Sequence, residues 1–280
     1  MRRQMFPVIL LFLLALFVWY PLCMLLTGAI TGSGELSAQL SGVLGNSGKL
    51  ASWSLIPSRP TLKHIVELLL DTPAFYRVFW NSMLQAVPAV MGQTLVGAPA
   101  AWALARYHFR GKTVIIWLYI ILMILPFQVT MASSYIVLNT LDFVDTHLAI
   151  ILPAMFSAFP VFIMSKSFGR IPEPVLEAAR MDGAGEFRLF ISIGIPMGAP
   201  GVLSAALLSF VECWNAVEQP VTFLKTPSLY PLSIFLPKTT LENSGTSFVC
   251  ALIALLPAVL IFLWGQQYLE QGIIASGLKE

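Results

Sequence analysis

The chain has 280 residues, of which 57% are hydrophobic and only 11% charged, with a formal net charge of +2 and a mean hydropathy of +0.80. A water-soluble domain carries roughly 25% charged residues, so water is not its main solvent, and the scattered single Lys and Arg exclude an arm for nucleic acid. The three cysteines, Cys23, Cys213 and Cys250, lie in apolar stretches without metal-ligand spacing and are expected to pack as small hydrophobes.

Crossing a bilayer as a helix takes about 20 mostly apolar residues. Six segments reach that length: 6–30, 78–105, 114–138, 148–168, 202–224 and 248–268. The first follows Met1-Arg2-Arg3 and is too long for the apolar core of a signal peptide, about 7 to 15 residues, so it is expected to be a span. After it, 31–48 is rich in Gly, Ser and Asn, a composition expected to be mobile and to bury no core. The stretch Thr61 to Leu70 has a helical period and predicts a short surface helix.

Prolines recur in or beside the later segments, at Pro88, Pro99, Pro126, Pro153, Pro160, Pro220 and Pro257, where each removes a helical hydrogen bond and predicts a kink. The expected division is therefore 1–76 for the first span and an outer loop, 77–270 for a core of five spans, and 271–280 for a tail.

Orientation follows from the retention of Lys and Arg on the cytoplasmic side. One set of loops holds Arg2, Arg3, Arg106, Arg110, Lys112, Lys166, Arg170, Arg180, Arg188 and Lys279. The other holds Lys49, Arg59, Lys63, Arg77, Lys225 and Lys238, spread over longer loops. The first set is predicted to be cytoplasmic, with both termini inside. The fold class expected is all-α, a polytopic membrane protein with six transmembrane helices.

The loop 169–197 between the fourth and fifth segments carries a more specific pattern. Pro174 suits the first turn of a helix, and Glu177 complements the positive helix end and can pair with Arg180 three residues on. Asp182-Gly183 and Gly185 interrupt that helix, and a second begins near Glu186. Ala178 and Ala179 leave a smooth surface, while Val175, Leu176, Phe187 and Phe190 offer apolar contacts. The pattern predicts a helical hairpin that docks on a cytoplasmic partner.

Here the sequence resembles the binding-protein-dependent ABC importer permeases, whose signature is Glu-Ala-Ala, three residues, Gly, nine residues, Ile, one residue, Leu-Pro. It is met by Glu177, Ala178, Ala179, Gly183, Ile193 and Pro196, with Ile195 in place of the Leu. More of the chain is similar to the carbohydrate branch, of the MalG type, through Pro60-Thr61-Leu62, Asn81-Ser82, Arg106-Tyr107, Phe109-Arg110-Gly111-Lys112, Pro126-Phe127-Gln128-Val129, Trp214-Asn215 and Pro220. The pattern is broken by Ser133, where a proline is usual, and by Ala216, where an acid is common.

The resemblance implies a type I importer permease fold. It also implies that the loop, with Glu177, Ala178, Ala179, Arg180, Asp182, Gly183, Ala184 and Phe187, is the coupling helix gripped by an ATPase. The partners implied are a second permease in a heterodimer, a cytoplasmic ABC ATPase dimer that binds ATP and Mg, an extracytoplasmic solute-binding protein, and membrane lipid. No cofactor is expected on this chain.

Glu212, Asn215 and Glu218 recur at i, i+3 and i+6 in the fifth segment, near one face if that segment is one helix. A carboxylate at mid-bilayer costs a few kcal/mol or more and faces protein or a watered cavity. This face is expected to line the substrate path for a sugar, with Trp214 and Trp102 as the aromatic rings, or else to hydrogen-bond between helices or subunits. A polyamine or phosphonate is the alternative solute.

An intramembrane enzyme using Glu212 or Glu218 is the alternative class, although no phosphate loop, nucleophile elbow or paired catalytic aspartates accompany these residues. His64, His108 and His147 are far apart in sequence, and Asp142 and Asp145 are expected to be solvated.

Overall fold

The computed structural model describes residues 2–44, 50, 52–235 and 240–277, so Lys49, Lys238, Lys279 and Glu280 lie outside the described residues. Each named element is a helix, with one isolated bridge between Thr31 and Pro60. Hydrocarbon offers the backbone no partners, so a segment that satisfies itself internally is the one that can cross. Two compact units are formed, Met1–Phe79 with Phe235–Pro257, and Trp80–Ile234 with Ala258–Glu280.

In the first unit, α1 (Arg2–Ile30) includes a span of 23 residues whose most apolar window has none of its residues buried. Each side chain from Val8 to Tyr20 is exposed. The expectation for 31–48 is corrected up to residue 44, with 45–48 outside the described residues: α2 (Ser33–Leu44) is helical and fully buries Leu36. Glu35 in its first turn accepts hydrogen bonds from the Ser58 backbone at 3.0 and 3.2 Å. Such local bonds hold a polar segment that composition alone reads as loose. The short helix expected near 61–70 is α3 (Lys63–Leu70). It buries His64, whose Nε2 lies 3.1 Å from the Thr31 carbonyl oxygen.

The second unit takes in most of α4 (Pro73–Arg106), which is continuous through Pro88 and Pro99. The expected third span is broken: α5 (Lys112–Ile124) and α6 (Phe127–Thr140) are bent by 104°. Pro126 lacks a donor and disfavours a helical residue before it, and Leu125 is accordingly extended, at ψ 128°. The pair α7 (Leu148–Met155) and α8 (Ala158–Gly169) together make a span of 22 residues. Next come α9 (Glu173–Met181), α10 (Glu186–Leu189), a π-helical turn at Phe190–Gly194, and α11 (Ile195–Trp214).

The fifth span is thus Glu186–Trp214, 29 residues, not 202–224. The stretch 195–201 holds Pro196, Gly198, Pro200 and Gly201 and is helical and closely packed. A Cβ on Gly198 would fall 2.4 Å from Phe168, and one on Gly201 2.2 Å from Ser167. Small residues let α11 approach α8 at backbone distance. The helix stops at Trp214, and α12 (Glu218–Phe223) starts anew with Pro220 in its first turn, where a proline costs no hydrogen bond.

The chain closes with α13 (Leu232–Phe235) and α14 (Ser244–Gly277). Among the described residues, five helices are long and apolar enough to cross a membrane, or six when the bent pair counts as one.

Candidate functional site

The hairpin around Gly183 forms as the residues dictate. Pro172 is extended, Glu173 and Pro174 open α9, and its end closes in a Schellman motif: the Gly183 N–H donates to the Arg180 carbonyl and the Ala184 N–H to the Ala179 carbonyl, each at 3.0 Å. Gly183 has φ +82°, a left-handed conformation that costs other residues roughly 1–2 kcal/mol. Gly185 is extended and caps α10.

The apolar residues of the hairpin divide between two faces. Leu176 and Leu189 are fully buried, and Phe190 joins them in a core with Trp102 and Phe168. The ring centroids of Trp102, Phe168 and Phe190 lie 5.5 to 6.2 Å apart. This corrects two expectations: Leu176 and Phe190 support the hairpin from behind instead of meeting a partner, and Trp102 is 3% exposed and closed to a solute.

Ala179 and Ala184, side by side in the Schellman closure, pack against the same core. On the outer face Val175, Glu177, Ala178, Met181, Asp182 and Phe187 are exposed, with Met181 at 84% and Phe187 at 79%. Burying one such side chain against a partner yields about 1.5–3 kcal/mol.

Arg180 does not pair with Glu177. Its Nη1 lies 3.0 Å from Glu173 Oε1 and its Nε 3.1 Å from Glu186 Oε1, a fork between two carboxylates that competes successfully with one neighbour. These two hydrogen bonds, to Glu173 and then Glu186, raise the pKa of Arg180 above its ordinary value. Glu177 is left pointing outward, with no hydrogen bond or ion pair among the described residues.

Glu173 also takes Arg106 Nη1 at 3.1 Å. Arg106 Nη2 donates to the Phe168 carbonyl at 2.5 Å and to the Ile171 carbonyl, and the guanidinium lies 5.8 Å from the centroid of the Trp102 ring. Tyr107 completes the set by donating its hydroxyl to Glu186 Oε2 at 2.9 Å. Burial, then that hydrogen bond, raises the phenol's pKa.

The second expected group is not one helical face. Glu212 is exposed on the last turn of α11, with no hydrogen bond or ion pair among the described residues. Trp214 is buried and stacks on Phe210, with centroids 5.7 Å apart and planes at 15°. Asn215 is the C-terminal cap of α11, its Nδ2 donating to the Val211 carbonyl at 2.9 Å. Glu218 opens α12, and its oxygens accept from Gln128 Nε2 at 3.0 and 2.8 Å. Gln128 thus belongs with Glu218. Its signal in the sequence was an amide two residues after Pro126 in an otherwise greasy run.

Sequence reasoning also missed a polar row near the start of α4. Asn81 Nδ2 donates to the Ser228 and Tyr230 carbonyls at 2.7 and 3.0 Å. Ser82 Oγ accepts from the Leu232 N–H at 2.7 Å, and Gln85 Nε2 donates to the Leu229 carbonyl at 3.0 Å. Gln85 Nε2 lies 3.2 Å from His147 Nδ1, and burial lowers the His147 pKa, so the neutral ring accepts this bond. Asp145 is not merely solvated: its carboxylate accepts from Thr226 Oγ at 2.5 Å and from the Thr226 and Lys225 N–H groups at 2.8 Å. These bonds, with Thr226 first, hold it below the usual carboxylate range.

Comparison with known proteins agrees with this architecture. The chain is 31% identical over 235 residues to a probable ABC transporter permease of Pyrococcus horikoshii, covering 81% of this chain and 85% of that protein. It is 27% identical over 227 residues to the arabinooligosaccharides transport system permease AraQ of Halalkalibacterium halodurans, covering 80% and 81%. In fold it is similar to a chain of a bacterial ABC transporter involved in the import of the acidic polysaccharide alginate, with a TM-score of 0.79, 20% identity and 95% of each chain covered. Residues 93–275, which include the whole hairpin, match the family described as "Binding-protein-dependent transport system inner membrane component". The chain belongs to that family, as a multi-pass inner-membrane permease of ABC importers.

Proposed function

We propose that the chain is one of two permease subunits forming the translocation path of an importer for a sugar or oligosaccharide. ATP and magnesium are bound by a pair of partner ATPases, and an extracytoplasmic binding protein delivers the solute. The chain's termini and hairpin are cytoplasmic. Relatives named for arabinooligosaccharides and galactooligosaccharides support a carbohydrate, although another is named for sn-glycerol-3-phosphate.

The observation that carries this reading is the hairpin, whose apolar back is sunk in the aromatic core while Glu177, Ala178, Met181 and Phe187 face out. A cleft on the ATPase takes that exposed face, and its closure on ATP moves the hairpin and opens the bundle by turns to each side of the membrane. Glu212, Asn215 and Glu218, with Gln128 as partner of the last, supply acceptors and an amide for hydroxyl groups along the path. Trp214 supports this region from behind and does not touch solute.

The assembled transporter in vesicles tests the reading directly. With the binding protein supplied, oligosaccharide should accumulate, and Gly183→Val or Phe187→Glu should release the ATPase from the membrane complex and stop uptake. Retention of both the ATPase and uptake in these variants would reject it.

A further inference from the structure

We infer that Arg106 is a positioning residue that fastens the end of α4 to the coupling hairpin, so that the two travel as one body through each transport cycle. The inference rests on the hairpin being where force enters.

Three segments converge on this guanidinium. It is the last residue of α4, and its side chain is only 9% exposed. Through Nη2 it satisfies the carbonyls of Phe168 and Ile171 around the end of α8, where helical carbonyls lack partners and a cation suits the negative helix end. Through Nη1 it holds Glu173 in the first turn of α9.

From Glu173 the links run through Arg180 to Glu186 and through Glu186 to Tyr107, the residue next to Arg106 in the chain. The ring is therefore closed, and neither helix of the hairpin can swing away from the end of α4 without breaking an ion pair or a hydrogen bond. A lysine cannot replace Arg106, because one ammonium cannot present two directed donor edges to a carboxylate and two carbonyls together.

Without this ring, hairpin motion would be lost in bending of the loop after α4. ATP hydrolysis would then outrun transport. The test compares ATP hydrolysed with solute accumulated in the reconstituted full transporter.

Arg106→Ala is expected to keep the ATPase bound and to hydrolyse ATP within about twofold of the parent, while ATP consumed per solute rises about tenfold, a coupling loss of ordinary size. Arg106→Lys should recover only part of that ratio. A ratio that stays at the parent value, whatever the residual activity, overturns the inference. Loss of the hairpin's docking role is distinguishable, since it appears as ATPase released from the membrane complex.

If Arg106→Ala does not assemble, a second measurement decides. With the three native cysteines replaced, Tyr107→Cys and Glu186→Cys are joined by a short bismaleimide, leaving Arg106 and Glu173 in place. Two parts that move together should tolerate the tether, with transport within about twofold of the untreated protein. Transport stopped by the tether, and only when it is formed, would show that they separate.

Discussion

The two ends of α4 are moored by opposite chemistry. Near its start, neutral amides and a hydroxyl, on Asn81, Ser82 and Gln85, meet backbone groups of 228–232. At its end, Arg106 and Tyr107 join a ring of alternating charges. Neutral bonds to backbone are insensitive to salt and specify position. The charged ring is stronger per contact where buried, but its outer members, Arg180 and Glu186, are part-exposed and are weakened by screening. The end that carries the exposed hairpin is therefore tied by groups that also tolerate an aqueous surface.

The largest expected effect lies at the charged end. Trp102→Ala removes a 3% exposed ring packed on Phe168, Phe190 and the Arg106 guanidinium, and should cost about 3–5 kcal/mol. Thermal unfolding in detergent should show it as the largest fall in melting temperature, and a shift no greater than a surface substitution's would mean that this core does not hold the hairpin.

Next, Asn81→Ala strips two carbonyls of their donor at the neutral end and should cost about 1–3 kcal/mol. Its melting shift should be the same at low salt and in 1 M NaCl. A shift that depends strongly on salt would erase the contrast between the two ends.

Smallest is a pH effect at the neutral end. The folded-state pKa of His147 lies below its ordinary value of 6.5 because of burial, so the unfolded chain binds the proton more readily. Stability from this group is full above pH 6.5 and declines as pH falls from there through the lowered folded value. His147→Asn should flatten that slope in melts between pH 7.5 and about 5. An unchanged slope would place its origin elsewhere. Asp145, also lowered, has the same sign but acts only below its ordinary value of 3.8.

Much of this was legible in the sequence where one physical signal dominates. Apolar length announced α1, α4 and α14, and the Asp182-Gly183 break announced the hairpin because glycine alone takes that turn without strain. Elsewhere, long-range partners decided the outcome. Composition called the 31–48 stretch loose, but Leu36 found a core and Glu35 found Ser58. Tight packing on α8 sustains a helix through Pro196 and Pro200, ahead of the expected start at 202.

Hydropathy could not separate a continuous third span from two helices meeting at an angle, since both read as greasy. The periodicity that aligned Glu212, Asn215 and Glu218 assumed one helix, and it lapsed when α11 ended at Trp214. Glu177 and Arg180 were suitably spaced, yet Arg180 found two better carboxylates whose proximity no local rule could show.

The 104° bend at Leu125-Pro126 bears on the medium around the subunit. Where a rod is interrupted, peptide groups on either side of the joint lose their intrahelical mates, and oil cannot replace them. That joint must therefore sit against another polypeptide or in a hydrated recess. The Gln128 amide and the Glu218 carboxylate, bonded to each other close by, put a polar pair next to that interruption in an otherwise apolar stretch.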